Sequence, residues 1–237
     1  MLRRMKRAGW SGMDDGSLVR VRVWDGWIRL VHWSIVALIG LSWWSGETGR
    51  TQLHTLAGYA VLTLVLFRIA WGFLGSDTAR FGRFLRSPVE ALRHLTQFRR
   101  PAPDREIGHN AAGGWMVLGL LGLLLAQTLT GLFAAEEPDF DYGAKGPLAK
   151  LVPADTSNWL TGLHHSVFDL ILLAAGLHVL AVLAYRLVKR HDLVRPMLTG
   201  WKLLPAGMAA PRLGSPILAA ALLAGAALLV YAVSRLG

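Results

Sequence analysis

Histidine is the residue type in this chain best suited to metal chemistry. The chain has 237 residues, with eight histidines and no cysteine. The lack of cysteine excludes disulfides, thiolate metal sites, iron–sulfur ligation and covalent attachment through CxxCH. Any bound metal must therefore rely on histidine, methionine or carboxylate ligands. Most of the histidines lie in long apolar segments or beside the start of one, where an ionisable residue is costly enough to indicate a function.

The strongest spacing is between His164 and His178. On an α-helix, fourteen residues turn through about 1,400°, within roughly 40° of whole turns, and rise about 21 Å. Both imidazoles therefore face one side of a helix, at two depths. His165 is rotated about 100° from His164, and it stays open as the alternative ligand in that place.

Five apolar blocks are long enough to be the helices that position these histidines. The chain is 53% hydrophobic and 17% charged, whereas a soluble domain carries roughly 25% charged residues. About 20 apolar residues cross a membrane as a helix, and several of the ten tryptophans lie at block edges, as in an interfacial belt. The predicted spans are 27–45, 54–75, 111–134, 162–188 and 216–234.

Positive charge alternates between the connectors of these spans. Segments 1–26, 76–108 and 186–213 are rich in arginine and lysine, whereas the connector after the first span is short and segment 135–161 is acidic. The positive-inside rule then predicts a cytoplasmic N-terminus and a C-terminus outside. The net charge of +10 follows from topology, so no nucleic-acid partner is expected. The first 26 residues also lack the apolar region of a cleavable signal peptide.

Depth in the membrane predicts how the histidines pair. His32 lies near the cytoplasmic start of the first span, and His54 opens the second span at the outer side. The predicted pairs are therefore His54 with His164 near the outer surface, and His32 with His178 in the cytoplasmic half. Two histidines on one iron suit a six-coordinate b-type haem. Such an iron has no open position for oxygen or substrate, so two electron-transferring b haems are predicted.

Two other interpretations of the four histidines stay open. They can be hydrogen-bond partners between helices, or they can ligate a non-haem metal. Two pairs at matching depths, with same-face spacing on a shared helix, favour haem over simple hydrogen bonding. The separation of about 20 Å between the pairs disfavours a single metal site.

Other polar residues near the cytoplasmic side are candidates for contact with a haem or a quinone. Arg29 and Arg68 are predicted to pair with haem propionates, and the alternative is snorkelling to the lipid headgroups. His109 begins the third span and is a candidate partner of a propionate or a quinone, or else an ordinary interfacial residue. His94 and His191 are predicted loop residues.

A short helix is predicted in the second basic connector. Ser87-Pro88-Val89-Glu90 is a capping box with proline at the first helical position, and Leu92, Leu95 and Phe98 would form an apolar stripe at the membrane surface. Several glycines suit either a flat macrocycle wedged between helices or plain helix packing. They are Gly58, Gly113, Gly114 and Gly131.

The chain resembles the bacterial cytochrome b561 and nickel–iron hydrogenase b-type cytochrome family, which has a cytochrome b/b6-like domain. The resemblance covers roughly residues 20–202 and implies a four-helix membrane bundle that binds two b haems. It also implies that the haem ligands are the histidines of the first, second and fourth helices, here His32, His54, His164 and His178. The matching stretches include Arg29-Leu30-Val31-His32-Trp33, Leu53-His54-Thr55-Leu56-Ala57-Gly58-Tyr59, Phe67-Arg68-Ile69-Ala70-Trp71-Gly72-Phe73, Gly108-His109-Asn110 and Leu193-Val194-Arg195-Pro196-Met197.

The sequence therefore predicts an all-α membrane protein: a four-helix haem-binding bundle plus a fifth, C-terminal transmembrane helix. We expect a cytoplasmic segment (1–26), a di-haem domain (27–202) and a linker with the last helix (203–237), in the bacterial inner membrane.

The resemblance implies electron transfer between the membrane quinone pool and a redox partner, such as a periplasmic cytochrome c or a hydrogenase. The acidic segment with Glu136, Glu137, Asp139 and Asp141 would dock a basic cytochrome, or be ordinary loop charge. The alternatives are a stand-alone quinone or superoxide oxidoreductase and a membrane anchor of a redox complex. A homodimer also stays open.

Overall fold

The computed structural model describes residues 18–99, 106–135 and 145–236. The acidic residues Glu136, Glu137, Asp139 and Asp141 lie outside these ranges, as does segment 1–17. The elements are β1 (Leu18–Arg22), α1 (Gly26–Glu47), α2 (Thr51–Leu74), α3 (Phe81–Phe84), α4 (Pro88–Thr96), α5 (Ala111–Phe133), α6 (Ala154–Ala184), α7 (Val194–Thr199), β2 (Trp201–Pro205) and α8 (Pro216–Ser234). A 3-10 turn (Ala149–Leu151) precedes α6, and a π-helical turn (Tyr185–Lys189) continues it.

Within the described ranges, five helices are long and apolar enough to cross a membrane: α1, α2, α5, α6 with its π-helical turn, and α8. The prediction of five spans is confirmed. The fourth begins at Ala154 and not at 162, because a polar stretch extends the helix beyond its apolar block. That extension is fixed by side chains: Ser157 Oγ donates to the carbonyl of Phe133 at 2.7 Å, and Thr161 Oγ1 accepts from the amide of Ala135 at 3.1 Å.

Polar side chains cap the N-terminal ends of α1 and α5. Asp25 accepts from the amide of Ile28 at 2.8 Å at the start of α1, and Asn110 accepts from Gly113 at 2.7 Å at the start of α5. Each cap satisfies an amide that has no partner within its helix. These two caps fix the residues at which the chain enters the first and third spans.

The short helix α4 confirms the predicted capping box, since Ser87 Oγ accepts from the amide of Glu90 at 3.2 Å. Its exposed apolar side chains are Val89, Leu92 and Leu95. The prediction is wrong for Phe98, whose ring packs against Tyr185 at 5.1 Å. His94 is also not a loop residue, because it lies on α4 with its ring hydrogen-bonded to the Tyr185 hydroxyl.

The described parts of the three basic connectors meet at one end of the bundle, which we call the sheet end. There β1 pairs antiparallel with β2, and the amides of Val23 and Trp24 both donate to the carbonyl of Gly200, at 2.9 and 3.2 Å. Thr78 Oγ1 donates to the carbonyl of Val23 at 2.7 Å. The opposite end, with the α1–α2 turn and the start of α6, is called the far end. The two ends thus separate the connectors as the charge alternation predicts.

The spans pack in a chain of neighbours: α1 on α2, α2 on α5 and α5 on α6, with α8 added against α2. Phe67 and Trp71 of α2 are fully buried and pack with Ala219 of α8. The fifth helix is therefore part of the packed bundle. By contrast, α6 makes few close backbone approaches to α1 and α2. This leaves a gap between α6 and the first two helices, and the histidines lie across it.

Candidate haem-binding site

The far-end histidine pair consists of His54 on α2 and His164 on α6. Their ring centres are 6.1 Å apart. His54 Nδ1 lies 2.8 Å from the carbonyl oxygen of Ser42, and His164 Nδ1 lies 2.9 Å from that of Gln127. Because a carbonyl can only accept, each Nδ1 carries the proton and donates it. Each Nε2 is left with its lone pair, as a metal ligand requires.

The sheet-end pair consists of His32 on α1 and His178 on α6, with ring centres 6.4 Å apart. The ring of His32 also meets Trp33 edge-on at 4.9 Å. His32 Nδ1 is buried and has no hydrogen-bond partner among the described residues. This outer ring nitrogen therefore differs from those of His54 and His164, which donate to backbone carbonyls. The two predicted pairs are therefore brought together, and their surroundings differ.

An apolar layer separates the two pairs. Val61 and Val65 of α2, Leu124 of α5, and Val167 and Ile171 of α6 form one buried cluster. On α6, Val167 and Ile171 lie between His164 and His178 in sequence, so the cluster fills the middle of the bundle. The histidines therefore form two separate pairs, one towards each end.

The distance within each pair fits two imidazoles on opposite sides of one metal ion. An imidazole nitrogen binds a transition metal at about 2.0 to 2.1 Å and lies roughly 1.1 Å from its ring centre, which puts the two ring centres about 6.2 to 6.4 Å apart. A direct hydrogen bond between the rings would bring the centres to about 5.1 Å. The observed 6.1 and 6.4 Å agree with the metal-bridged arrangement and disfavour simple hydrogen-bond partners.

A cavity of about 310 Å³ adjoins the far-end pair. His54, His164, Gly58 and Gly131 are among the residues that line it. A Cβ atom at Gly58 would meet nothing within 4 Å, whereas one at Gly131 would lie 2.9 Å from Cε1 of His164. Gly58 therefore borders open space, and Gly131 makes room for the imidazole itself. Gly113 and Gly114 serve other purposes, since they pack against Asn110 and Phe84.

The small number of protein ligands at each histidine pair favours a metal held in a macrocycle over a bare metal ion. Among the residues that the structure describes, no group of three or more histidine or carboxylate side chains is placed to hold a metal. A structural zinc site needs about four protein ligands and a catalytic one about three. A haem brings four nitrogens of its own, so two facing histidines complete its coordination.

One comparison with known proteins gives a match. A family model described as prokaryotic cytochrome b561 matches residues 23–200. The chain belongs to the prokaryotic cytochrome b561 family. No curated protein and no solved structure matches it. Membership implies a helical membrane bundle that transfers electrons across the membrane through b-type haem. Helix α8 lies beyond the matched residues.

The residues of this cytochrome b561 chain fit b-type haem at both pairs. The spacing of the rings in both pairs and the gap beside α6 agree with a flat group held between helices. His164 Nε2 lies 3.0 Å from the side-chain nitrogen of Gln127, whose Oε1 is buried without a partner among the described residues. The Gln127 amide would turn aside when an iron takes that nitrogen.

His165, the alternative ligand, is exposed. Its ring meets the ring of His164 edge-on at 6.2 Å. A ring that faces His165 from another helix is not found among the described residues. The geometry therefore favours His164 as the ligand.

Arg29, a predicted propionate partner, contacts the backbone in this structure. Its Nε donates to the carbonyl of Met197 at 3.3 Å, and its Nη2 donates to that of Leu198. These carbonyls lie in the last turn of α7, where no later amide of the helix can donate to them. Arg29 thus holds α7 against the start of α1, beside the sheet-end pair.

Arg68 is buried and does not snorkel to the headgroups. Its Nη1 donates to the carbonyl of Ala79 at 3.3 Å, and its guanidinium lies 5.3 Å from the ring centre of Phe81. The buried carboxylate of Asp25 compensates its charge. Asp25 also accepts from Trp71 Nε1 at 3.1 Å. The hydrogen bond from Trp71 to Asp25 therefore joins α2 to α1 at the sheet end, and the charge of Arg68 lies near enough to Asp25 to interact with it.

His109 lies between two aromatic rings. Its ring centre is 4.7 Å from those of Trp24 and Phe84, and its Nδ1 is buried with no partner among the described residues. Burial lowers the pKa of His109 well below its ordinary value, and the positive charge of Arg68 adds to this. The imidazole is therefore neutral and has a free hydrogen-bonding nitrogen close to the sheet-end pair.

Several residues around the histidines escaped the sequence reasoning. Gln127 and Thr130 contact His164, and the carbonyl of Ser42 holds His54. The signal that could have identified Gln127 and Thr130 is their polarity within an otherwise apolar span, because a polar residue there is costly and indicates a function. The carbonyl of Ser42 has no such signal, because a backbone contact is independent of the residue type.

Proposed function

We propose that this protein carries electrons across the membrane through two b-type haems. One is held by His54 and His164, and the other by His32 and His178. The observation that carries the proposal is the two pairs of facing imidazoles, with ring centres 6.1 and 6.4 Å apart. Helix α6 supplies one ring to each pair. Haem supplies a one-electron iron couple when bound, and two histidines on each iron leave no position for substrate.

The chain's own residues hold and insulate the two sites. The carbonyls of Ser42 and Gln127 fix the orientation of the far-end rings. The apolar layer around Val65 and Ile171, both almost fully buried, keeps water out of the middle of the bundle. Fixed ligands in a dry interior suit electron transfer, because little has to rearrange when the charge moves.

We further propose that the sheet end faces the bacterial cytoplasm. The basic connectors meet there, so the positive-inside rule supports a cytoplasmic N-terminus and a periplasmic C-terminus. The haem domain would comprise residues 27–202, with 203–237 as a linker and an added helix.

The redox partners would be the membrane quinone pool and a protein such as a periplasmic cytochrome c or a hydrogenase. A cavity of about 670 Å³ at the sheet end, lined in part by His109, Phe84 and Ile107, supports a quinone site there. The unpartnered nitrogen of His109 would then bind a quinone oxygen. A periplasmic cytochrome would dock on the acidic segment that follows α5.

Vesicles test this function directly. The purified protein is reconstituted in lipid vesicles that contain ferricyanide, and dithionite is added outside. We expect the trapped ferricyanide to be reduced at a rate that the His164→Ala variant lowers to that of protein-free vesicles. The His165→Ala variant is the matched control and should keep the wild-type rate. Equal rates for wild type and His164→Ala would contradict the proposal.

A further inference from the structure

The two histidine pairs differ in the hydrogen bonds of their outer ring nitrogens. At the far end, Nδ1 of His54 and of His164 each donate to a backbone carbonyl, at 2.8 and 2.9 Å. His164 Nδ1 also lies 3.2 Å from Thr130 Oγ1. That hydroxyl gives its own proton to the carbonyl of Ala126 or Gln127, at 2.8 or 2.9 Å, so its oxygen can accept from the imidazole.

The sheet-end pair lacks an equivalent contact at His32. The Nδ1 atom of His32 is buried and has no partner among the described residues. The difference arises from the helices. The far-end rings lie beside the carbonyls of Ser42 on α1 and Gln127 on α5, whereas the ring of His32 packs against Trp33, an edge-on aromatic contact.

A hydrogen bond from Nδ1 changes the midpoint potential of the metal that Nε2 binds. Donation of this proton to an acceptor raises the basicity of the ring, and the ligand then gives more electron density to the metal. A more basic ligand stabilises ferric iron relative to ferrous iron, so the midpoint potential falls. Two such rings at one site act in the same direction.

The fixed charges do not oppose this difference. The sheet end holds the buried cation Arg68 and the buried anion Asp25, and the half-buried cation Arg29 lies nearby. The cavity at the far end is lined by one anion, Glu47, and one cation, Lys145. The excess positive charge at the sheet end favours the reduced state there, because positive charge stabilises added electrons.

We infer that the Nδ1 hydrogen bonds of His54 and His164 give the far-end haem the lower midpoint potential of the two. The sheet-end haem, with His32 as a ligand, has the higher one. This inference rests on the proposed function. It assigns a direction: an electron that enters at the far end moves downhill to the sheet end.

Redox titration of single-site variants tests the order. Wild-type protein is titrated first by its optical spectrum, which gives two midpoint potentials. His54→Ala removes the far-end haem, and the haem that remains should titrate near the higher wild-type value. His178→Ala removes the sheet-end haem, and the remaining haem should titrate near the lower value. The opposite assignment, or two equal potentials, would overturn the inference.

A side-chain change tests the cause. Thr130→Val removes one acceptor of the His164 Nδ1 proton without changing the shape of the side chain, so only the lower potential should rise. Thr63→Val is the matched control, because Thr63 makes the same kind of backbone hydrogen bond, to Tyr59 at 2.9 Å, with no histidine in contact. An unmoved lower potential in Thr130→Val would contradict hydrogen bonding as the cause.

The outcomes separate this inference from the proposed function. A wild-type protein with fewer than two haems would defeat the proposed function itself. Two haems in the reverse order would defeat only the inference. Where an alanine variant fails to fold, the Thr130→Val and Thr63→Val pair still reads the far-end potential in a protein that keeps all four ligands.

Discussion

Replacing His164 with alanine is expected to lower the haem content from two haems to one per chain. His164 faces His54 with ring centres 6.1 Å apart, and a haem that these two histidines would hold should bind much more weakly when one of them is removed. The sheet-end pair lies beyond the apolar layer of Val65 and Ile171, so its haem should remain. The measurement is haem per polypeptide of the purified variant, from its absorbance and protein concentration.

His165→Ala is the control for that variant. It removes the same side chain from the same helix one residue later, at an exposed position. It should keep both haems and the wild-type spectrum. Loss of a haem in His165→Ala with none in His164→Ala would show that the ligand at this depth is misassigned.

Replacing Asp25 with alanine is expected to be the most destabilising change at the sheet end. Asp25 is buried, caps α1, accepts from Trp71 and compensates Arg68. Its removal leaves the buried indole N–H of Trp71 and the amide of Ile28 without acceptors, at about 1 to 3 kcal/mol each, and takes away the anion that offsets the buried charge of Arg68. The free energy of unfolding in mixed micelles should fall by about 2 to 5 kcal/mol.

Two further variants identify the origin of that loss. Asp155→Ala removes an exposed carboxylate from the first turn of α6, and it should cost at most about 1 kcal/mol. Adding Arg68→Met to Asp25→Ala should restore part of the stability, since the uncompensated charge is then gone. Strictly additive losses in the double variant would contradict a contribution from the charge interaction between Asp25 and Arg68.

The spans could be predicted because membrane thickness constrains them strongly. The predicted 111–134 and 216–234 match α5 and α8 closely, since both helices are apolar over nearly their whole length. The start of α6 was missed because Asp155 and Ser157 are typical of a loop, although a hydrogen bond from Ser157 to the carbonyl of Phe133 ties this turn of the helix to α5. Local polarity predicts where a helix leaves the hydrocarbon core of the membrane, but not the residue at which the helix itself ends.

The strand pair at the sheet end was not predicted at all. Leu18 pairs with Pro205, and Arg22 pairs with Trp201. The partner segments are far apart in sequence and each is short. Alternation over so few residues carries little information, and pairing between distant segments leaves no local pattern. The sequence predicts the fifth span as a packing or anchoring helix, but it does not show that the neighbour is α2.

The histidines of the candidate site could be paired from the sequence because helix geometry converts spacing into depth and direction. The surroundings of each ring could not be predicted. Contacts with the carbonyls of Ser42 and Gln127 depend on how neighbouring helices are offset. Arg29 was expected near a propionate, yet its donors reach carbonyls of α7, a short helix that the sequence analysis did not identify.

The haem content of the wild-type protein tests the central claim most directly. A reduced-minus-oxidised spectrum of the purified chain, combined with haem per polypeptide, should show b-type absorbance and two haems per chain. This number follows from the proposed ligands, because each facing pair of histidines would complete one iron. One haem per chain would contradict the claim that both pairs are ligands, and no b-type absorbance would contradict the whole account.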